Sequence, residues 1–113
     1  INRGGGMSTF LGVYDQFPDR CLDMPIAESG FTHFGNGAAL AGMRPIVDLM
    51  FSDFMAVCYD QIINQAAKMH FMFAGKVSVP MVIRGAAGGG TGAAAQHSQS
   101  CARSEGGGTF HPL

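Results

Sequence analysis

The sequence predicts an α/β fold in which a partial parallel sheet is flanked by helices. Two apolar runs typical of buried strands, residues 45–50 and 77–84, are separated by a longer segment whose apolar residues have helical spacing. Strands that alternate with helices form parallel sheets, because the intervening helix returns the chain to the same end of the sheet. For 113 residues, one domain is the natural count.

The first half of the chain is predicted to lead into a helix of small residues. A short amphipathic piece at about 7–17 follows the glycine run at 4–6, and an extended segment follows at 21–26. Pro25 supports the extended segment, because proline is excluded from helix interiors and biases its predecessor towards extended backbone. A helix rich in glycine and alanine is expected at about 29–41, where Gly42 is a stop signal.

The second half supplies the strands and a longer helix. We expect strand 45–50, a helix at about 54–73 that Gly75 terminates, strand 77–84, and loop from Gly85 onward. Small residues also recur four positions apart in the first helix, as Gly35/Ala39 and Ala38/Gly42. This spacing indicates either dense packing within the chain or a subunit interface.

Composition indicates a chain that packs against other subunits. Charged residues make up 13% of the sequence, against about 25% in a typical soluble domain, while 47% are hydrophobic. A net charge of -1 gives no electrostatic reason to expect nucleic acid as a partner. No apolar run approaches the roughly 20 residues of a membrane span. Cys21, Cys58 and Cys101 are odd in number and scattered, which favours a reducing cytoplasm over a disulfide framework.

Glu28 is the candidate functional acid, because it lies where the extended segment meets the small-residue helix. One interpretation is an ordinary first-turn carboxylate favoured by the helix dipole. The other is a functional group, since a carboxyl among apolar neighbours near a helix start is a common way to displace a pKa. Ligands bind beyond the carboxyl ends of strands in open parallel sheets. If the extended segment 21–26 is a strand of the sheet, Glu28 and the loop after Arg84 both follow carboxyl ends of strands, which favours the functional interpretation.

Several common motifs are excluded. The glycine-rich loop after Arg84 lacks the Lys-Ser/Thr of a phosphate-binding P-loop, and its spacing fits the dinucleotide fingerprint poorly. His97 and Cys101 have one plausible metal spacing, but no second ligand pair accompanies them, so no metal site is predicted. The sequence contains no Gly-x-Ser-x-Gly elbow of an α/β-hydrolase.

Residues 19–100 resemble a transketolase-like domain, the cofactor-pyrimidine-binding domain of the beta subunit of thiamine-diphosphate-dependent 2-oxoacid and acetoin dehydrogenases. Five sequence blocks carry the resemblance in the family's order: DMPIAESGF (23–31), GAALAGMRPI (37–46), DF with DQIINQAAK (53–54 and 60–68), VPMVIR (79–84) and AQHSQS (95–100). Residues 1–18 match the family loosely, and residues 101–113 do not align with it. The chain therefore looks truncated relative to the family.

The resemblance implies catalytic roles for Glu28 and His97, and cofactor contacts from Glu28 and Phe54. The family's glutamate at the position of Glu28 hydrogen-bonds a ring nitrogen of the aminopyrimidine and shares its proton. The aromatic residue at the position of Phe54 stacks on the pyrimidine face. The histidine at the position of His97 lies in a loop near substrate and the incoming lipoyl group. The alternatives are that Phe54 is ordinary core and that His97 is a loop histidine bonded to backbone.

The implied function is that of a beta-type subunit that supplies the aminopyrimidine half of a thiamine diphosphate site. Such an enzyme oxidatively decarboxylates a pyruvate-like 2-oxoacid or cleaves acetoin, with acyl transfer to a lipoyl carrier. The implied partners are an alpha subunit, which mainly holds the diphosphate and its magnesium, and a lipoyl-bearing acyltransferase component. We expect a homo- or hetero-oligomer in the cytoplasm, or in the mitochondrial matrix of a eukaryote.

Two other functions stay open on the sequence. The chain is alternatively a truncated, non-catalytic oligomerisation or scaffold fragment, or a small enzyme of unrelated chemistry on this fold, since fold does not fix function.

Overall fold

The computed structural model describes residues 8–86. These form an α/β arrangement with a two-stranded parallel sheet, as predicted. The elements in chain order are α1 (Val13–Gln16), a 3₁₀ helix (Pro18–Arg20), α2 (Glu28–Leu40), β1 (Ile46–Phe51), a 3₁₀ helix (Ser52–Cys58), a π helix (Gln61–Ala67), α3 (Lys68–Met72) and β2 (Val82–Ala86).

The segment before α2 is less regular than predicted. The amphipathic piece expected at 7–17 has α-helical backbone only at Val13–Gln16. Within residues 8–86, the extended segment 21–26 pairs with no strand. Pro25 has no N–H to offer a ladder, which is consistent with this result. The inference that Glu28 follows a strand is therefore wrong for the described structure, where Glu28 follows an unpaired extended segment.

Helix α2 confirms the predicted small-residue helix, including its C-terminal stop. Gly42 has a φ of 94°, its N–H donates to the Ala39 carbonyl at 3.0 Å, and the N–H of Met43 donates to the Ala38 carbonyl at 3.0 Å. This pair of hydrogen bonds is the Schellman motif, which needs a left-handed residue that glycine supplies without strain. The chain then turns at Pro45 into β1.

The single helix predicted at 54–73 is instead a succession of 3₁₀, π and α hydrogen bonding between Ser52 and Met72. Apolar periodicity indicates that a segment is helical, but it does not separate these three patterns over short stretches. The ending at Gly75 is confirmed, with a φ of 79° and an N–H that donates to the His70 carbonyl at 2.8 Å.

Strand β2 begins at Val82, later than the predicted strand 77–84, and it continues to Ala86, so the prediction of loop from Gly85 onward is wrong for Gly85 and Ala86. Pro80 cannot donate to a ladder, and the Met81 N–H donates to the Val79 carbonyl at 2.9 Å in a tight turn. The sheet starts when the Val82 N–H donates to the Pro45 carbonyl at 3.0 Å.

The buried residues lie where α2 packs against β1 and the 3₁₀ helix Ser52–Cys58. The buried side chains of the described residues are Thr32, Asn36, Ala39, Val47, Leu49 and Cys58. Many large apolar side chains stay exposed, among them Ile26 at 93% and Phe71 at 88%. Such surface is suited to contact with further protein. Among residues 8–86, no helix has both the length and the apolar character to cross a membrane.

Candidate functional site

Glu28 is the first residue of α2 and is half-buried. Ala27 precedes it as the N-cap and makes no side-chain capping hydrogen bond. Glu28 is the acidic residue in the first turn of the helix. A carboxylate is favoured there because the first-turn N–H groups point towards it. Within residues 8–86, no hydrogen bond or ion pair joins the Glu28 side chain to another residue. The carboxylate is therefore available to a ligand.

The first turn of α2 is fastened to the 3₁₀ helix Ser52–Cys58. The Ser29 hydroxyl donates to the Val57 carbonyl at 2.7 Å. One turn further along α2, Thr32 is fully buried beside the fully buried Cys58. The Asn36 amide then donates to the Gln61 carbonyl at 2.8 Å. These contacts fix the helix that carries Glu28 against the segment that follows β1.

The pKa of the buried Cys58 thiol is influenced by the Glu28 carboxylate. Burial raises the pKa of the Cys58 thiol, and the Glu28 carboxylate raises it further, while the neighbouring Thr32 side chain and the Cys58 backbone oppose the rise. The thiol donates to the Phe54 and Met55 carbonyls, each at 3.6 Å. Cys58 is thus a neutral, buried neighbour of the candidate acid.

Phe54 lies in the 3₁₀ helix directly after β1 and is half-buried. Its ring meets the Phe51 ring edge to face, with 6.2 Å between centroids and an interplanar angle of 89°. Because α2 packs on this 3₁₀ helix, Glu28 and Phe54 lie on two adjoining elements. His97, the other predicted site residue, lies outside the described residues.

A groove of about 470 Å³ lies between the segment before α2, α2 itself and β1. Glu28 lines this groove, and Phe54 does not. Most of the lining is apolar and aromatic, and its charged members are Arg20, Asp23, Glu28, Arg44 and Asp48. The volume of the groove falls within the range of about 300–1,000 Å³ found for small-molecule sites.

An ion pair that the sequence analysis did not single out joins the two strands. Asp48 of β1 and Arg84 of β2 are register partners, with 2.9 Å between Oδ1 and Nη1. The signal in the sequence was an acid inside an apolar strand run and a base at the end of the next run. Their opposite charges indicated a pair only once the parallel register was known.

The described residues do not build a metal centre. Within residues 8–86, no group of three or more His, Cys, Asp or Glu side chains could hold a metal ion. Cys21 and Cys58 are free thiols.

Two side-chain hydrogen bonds, each of 2.7 Å, run along the surface of the helical segment: Asn64 donates to Asp60, and Lys68 donates to Asn64.

Comparison with known proteins gives a family match and several curated relatives. Residues 2–104 match the family model described as transketolase, pyrimidine binding domain. The chain is 54% identical over 96 residues to the acetoin:2,6-dichlorophenolindophenol oxidoreductase subunit beta of Cupriavidus necator, covering 85% of the chain and 28% of the relative. It is 48% identical over 98 residues to the protein of that name in Bacillus subtilis, covering 86% of the chain and 29% of the relative.

A third relative is the mitochondrial pyruvate dehydrogenase E1 component subunit beta-1 of Oryza sativa subsp. japonica. It is 50% identical over 96 residues, covering 84% of the chain and 26% of the relative. The chain thus spans less than a third of the length of each of these relatives.

Proposed function

Because the chain belongs to the transketolase pyrimidine-binding domain family, we propose that it supplies the aminopyrimidine half of a thiamine diphosphate site in a beta-type subunit. The assembled enzyme oxidatively decarboxylates a pyruvate-like 2-oxoacid or cleaves acetoin, and it transfers the acyl group to a lipoyl carrier. The names of the acetoin and pyruvate relatives support this reaction class. Its partners are an alpha subunit and a lipoyl-bearing acyltransferase.

The observation that carries the proposal is the position of Glu28. Its carboxylate begins α2, lines the groove and has no hydrogen-bond or ion-pair partner among residues 8–86. A carboxyl of this kind fits a ring nitrogen of an aminopyrimidine, because it can accept a hydrogen bond or share a proton there. The residues therefore fit the pyrimidine end of the cofactor.

Residues 8–86 show no comparable fit to the diphosphate end. A diphosphate needs a cation or a cradle of N–H groups, and residues 8–86 contain no cluster of metal-ligating side chains. We therefore assign the diphosphate and its magnesium mainly to the alpha subunit. When bound, thiamine diphosphate supplies a carbanion at its thiazolium ring, which performs the difficult bond cleavage.

The residues of this chain bind, orient and move protons. Glu28 holds the proton at the pyrimidine nitrogen, and Phe54 stacks on the pyrimidine face, which contributes about 0.5–1.5 kcal/mol beyond area burial. His97 orients substrate or transfers a proton near the lipoyl group, a role that imidazole side chains commonly perform. Phe54 does not line the groove in this structure, and its assignment is supported by the family resemblance and by the Ser29–Val57 hydrogen bond, which ties the element that carries Glu28 to the element that carries Phe54.

The test is reconstitution. The subunit that carries these residues is purified with and without an alpha subunit, and reduction of an artificial electron acceptor is followed with pyruvate or acetoin as substrate. We expect turnover only when the partner, thiamine diphosphate and magnesium are all present. Assembly without any turnover would support a scaffold role. Turnover without the cofactor would support unrelated chemistry on this fold.

A further inference from the structure

One carboxylate oxygen of Asp48 accepts a hydrogen bond from each of the two strands of the sheet. Oδ1 of Asp48 accepts from Nη1 of Arg84 at 2.9 Å and from the Met50 N–H at 3.0 Å. The two charged side chains are 14% and 25% exposed, so water screens the pair only in part. Asp48 therefore bonds both to the neighbouring strand and to the backbone two residues further along its own strand.

That backbone forms a bulge in β1. The parallel register pairs Asp48 with Arg84 and Phe51 with Ala86, so two residues of β1 lie opposite Gly85 alone. Met50 in the bulge has a φ of 64°, a left-handed conformation that methionine rarely adopts. Successive side chains of a strand point to opposite faces of the sheet. One extra residue therefore moves each following side chain of the strand to the opposite face.

The end of the bulge is closely packed against β2. A Cβ atom on Gly85 would lie 2.9 Å from the backbone N and Cα of Ser52, the first residue of the 3₁₀ helix. Phe54 lies on this helix, and its ring packs on the ring of Phe51. The bulge thus lies directly before the 3₁₀ helix that carries Phe54.

Arg84 is held from a second direction. Its Nη2 donates to the Thr9 hydroxyl, and its guanidinium carbon lies 5.3 Å from the centre of the Phe10 ring. These contacts preorganise the guanidinium opposite Asp48. The ion pair is therefore anchored on both strands and on the segment before α1.

We propose that Asp48 and Arg84 are positioning residues, which hold the β1 bulge and thereby orient Phe54 towards the cofactor. This inference rests on the proposed function, because the value of an oriented Phe54 comes from its stacking on the pyrimidine. Asp48 also lines the groove, so amide exchange at residues 50–54 and rescue by Met50→Gly, and not affinity alone, separate positioning from direct contact. The decisive bond is the one from the Met50 N–H to Asp48.

The test compares variants of the assembled enzyme at a temperature where all are folded. Asp48→Ala removes the acceptor, and we expect faster amide hydrogen exchange at residues 50–54 and about tenfold weaker thiamine diphosphate binding, comparable to the loss of one aromatic stack. Asp48→Asn keeps an acceptor oxygen and should stay within about threefold of wild type in affinity. The exposed Asp15→Ala is the matched control and should change neither reading.

Rescue separates positioning from simple stabilisation. Adding Met50→Gly to Asp48→Ala should restore most of the cofactor affinity, because glycine adopts the left-handed conformation without help. Unchanged amide exchange in Asp48→Ala, or no rescue by Met50→Gly, would overturn the proposal. If the wild-type assembly binds no thiamine diphosphate, the proposed function fails and so does the orienting role, while the exchange result still decides whether Asp48 holds the bulge.

Discussion

At the scale of single residues, the position of Glu28 in the structure is what makes it a candidate for function. It begins α2, it lines the groove, and its carboxylate raises the pKa of the buried Cys58 thiol. The sequence predicted its place at the helix start because Pro25 and the following small residues are local signals. The electrostatic influence of Glu28 on Cys58 was not predictable, since these residues lie 30 positions apart.

Glu28→Gln should keep the fold and abolish cofactor activation in the assembled enzyme. The amide has nearly the same shape as the carboxyl but cannot share a proton at the pyrimidine nitrogen. The measurement is hydrogen–deuterium exchange at the thiazolium carbon of bound thiamine diphosphate. An exchange rate equal to that of wild type would remove Glu28 from the mechanism.

His97→Ala should leave cofactor binding nearly unchanged and slow acyl transfer to the lipoyl carrier by roughly 100- to 10,000-fold, as for loss of a general acid or base. The reason is the loop position that the family resemblance assigns to His97, near substrate. Single-turnover transfer measures this step. A rate within about twofold of wild type would show that His97 has no part in the transfer.

Cys58 predicts a loss of stability in alkali. Its pKa is raised in the folded chain above the ordinary value of 9.0, mainly by burial. Above that pH the unfolded thiol loses its proton while the folded one keeps it, so the free energy of unfolding decreases as pH rises. Cys58→Ala should flatten the decrease in Tm above about pH 9. Equal slopes in wild type and Cys58→Ala would contradict this account.

At the scale of elements, local sequence signals were sufficient to predict the features that nearby residues determine. The ends of α2 and the turn at Gly75 follow from proline and glycine at fixed positions. The π helix Gln61–Ala67 accepts a hydrogen bond from Asn36, and Asp48, which bonds to the Met50 N–H in the bulge, pairs with Arg84 of the other strand. Such features are set by tertiary contacts, so neither was predicted.

The small residues of α2 divide between packing and exposure. Gly35 is buried against β1, where an added Cβ would lie 2.6 Å from Cγ2 of Val47 and 3.3 Å from Cε of Met81. Gly37 is exposed, and an added Cβ would meet nothing within 4 Å. The row Gly35/Ala39 therefore serves packing within the chain, which was one of the two interpretations of the spacing.

Gly35→Ala should destabilise the fold by about 1–3 kcal/mol, because the methyl group forces α2 away from β1. Gly37→Ala should instead stabilise it by up to about 1 kcal/mol through helix propensity. Urea unfolding of the two variants measures both effects. Equal changes in the free energy of unfolding would show that α2 does not pack on β1 as described.

At the scale of the whole molecule, the described residues expose many large apolar side chains. Residues 8–86 form a two-stranded sheet and leave large apolar side chains such as Ile26 and Phe71 almost fully exposed. The chain also covers only 28% of the length of the Cupriavidus relative. Low charge predicted this need for further protein, whereas the identity of the partners came only from the family resemblance.

The central claim is that this chain supplies half of a cofactor site. Isothermal titration of the purified chain with thiamine diphosphate and magnesium tests it most directly, with the chain plus an alpha subunit as the comparison. We expect weak or no binding by the chain alone, because residues 8–86 provide no cluster of metal ligands for the charged diphosphate end. Tight, magnesium-dependent binding by the chain alone would contradict the account, since it would show that the chain carries a complete site.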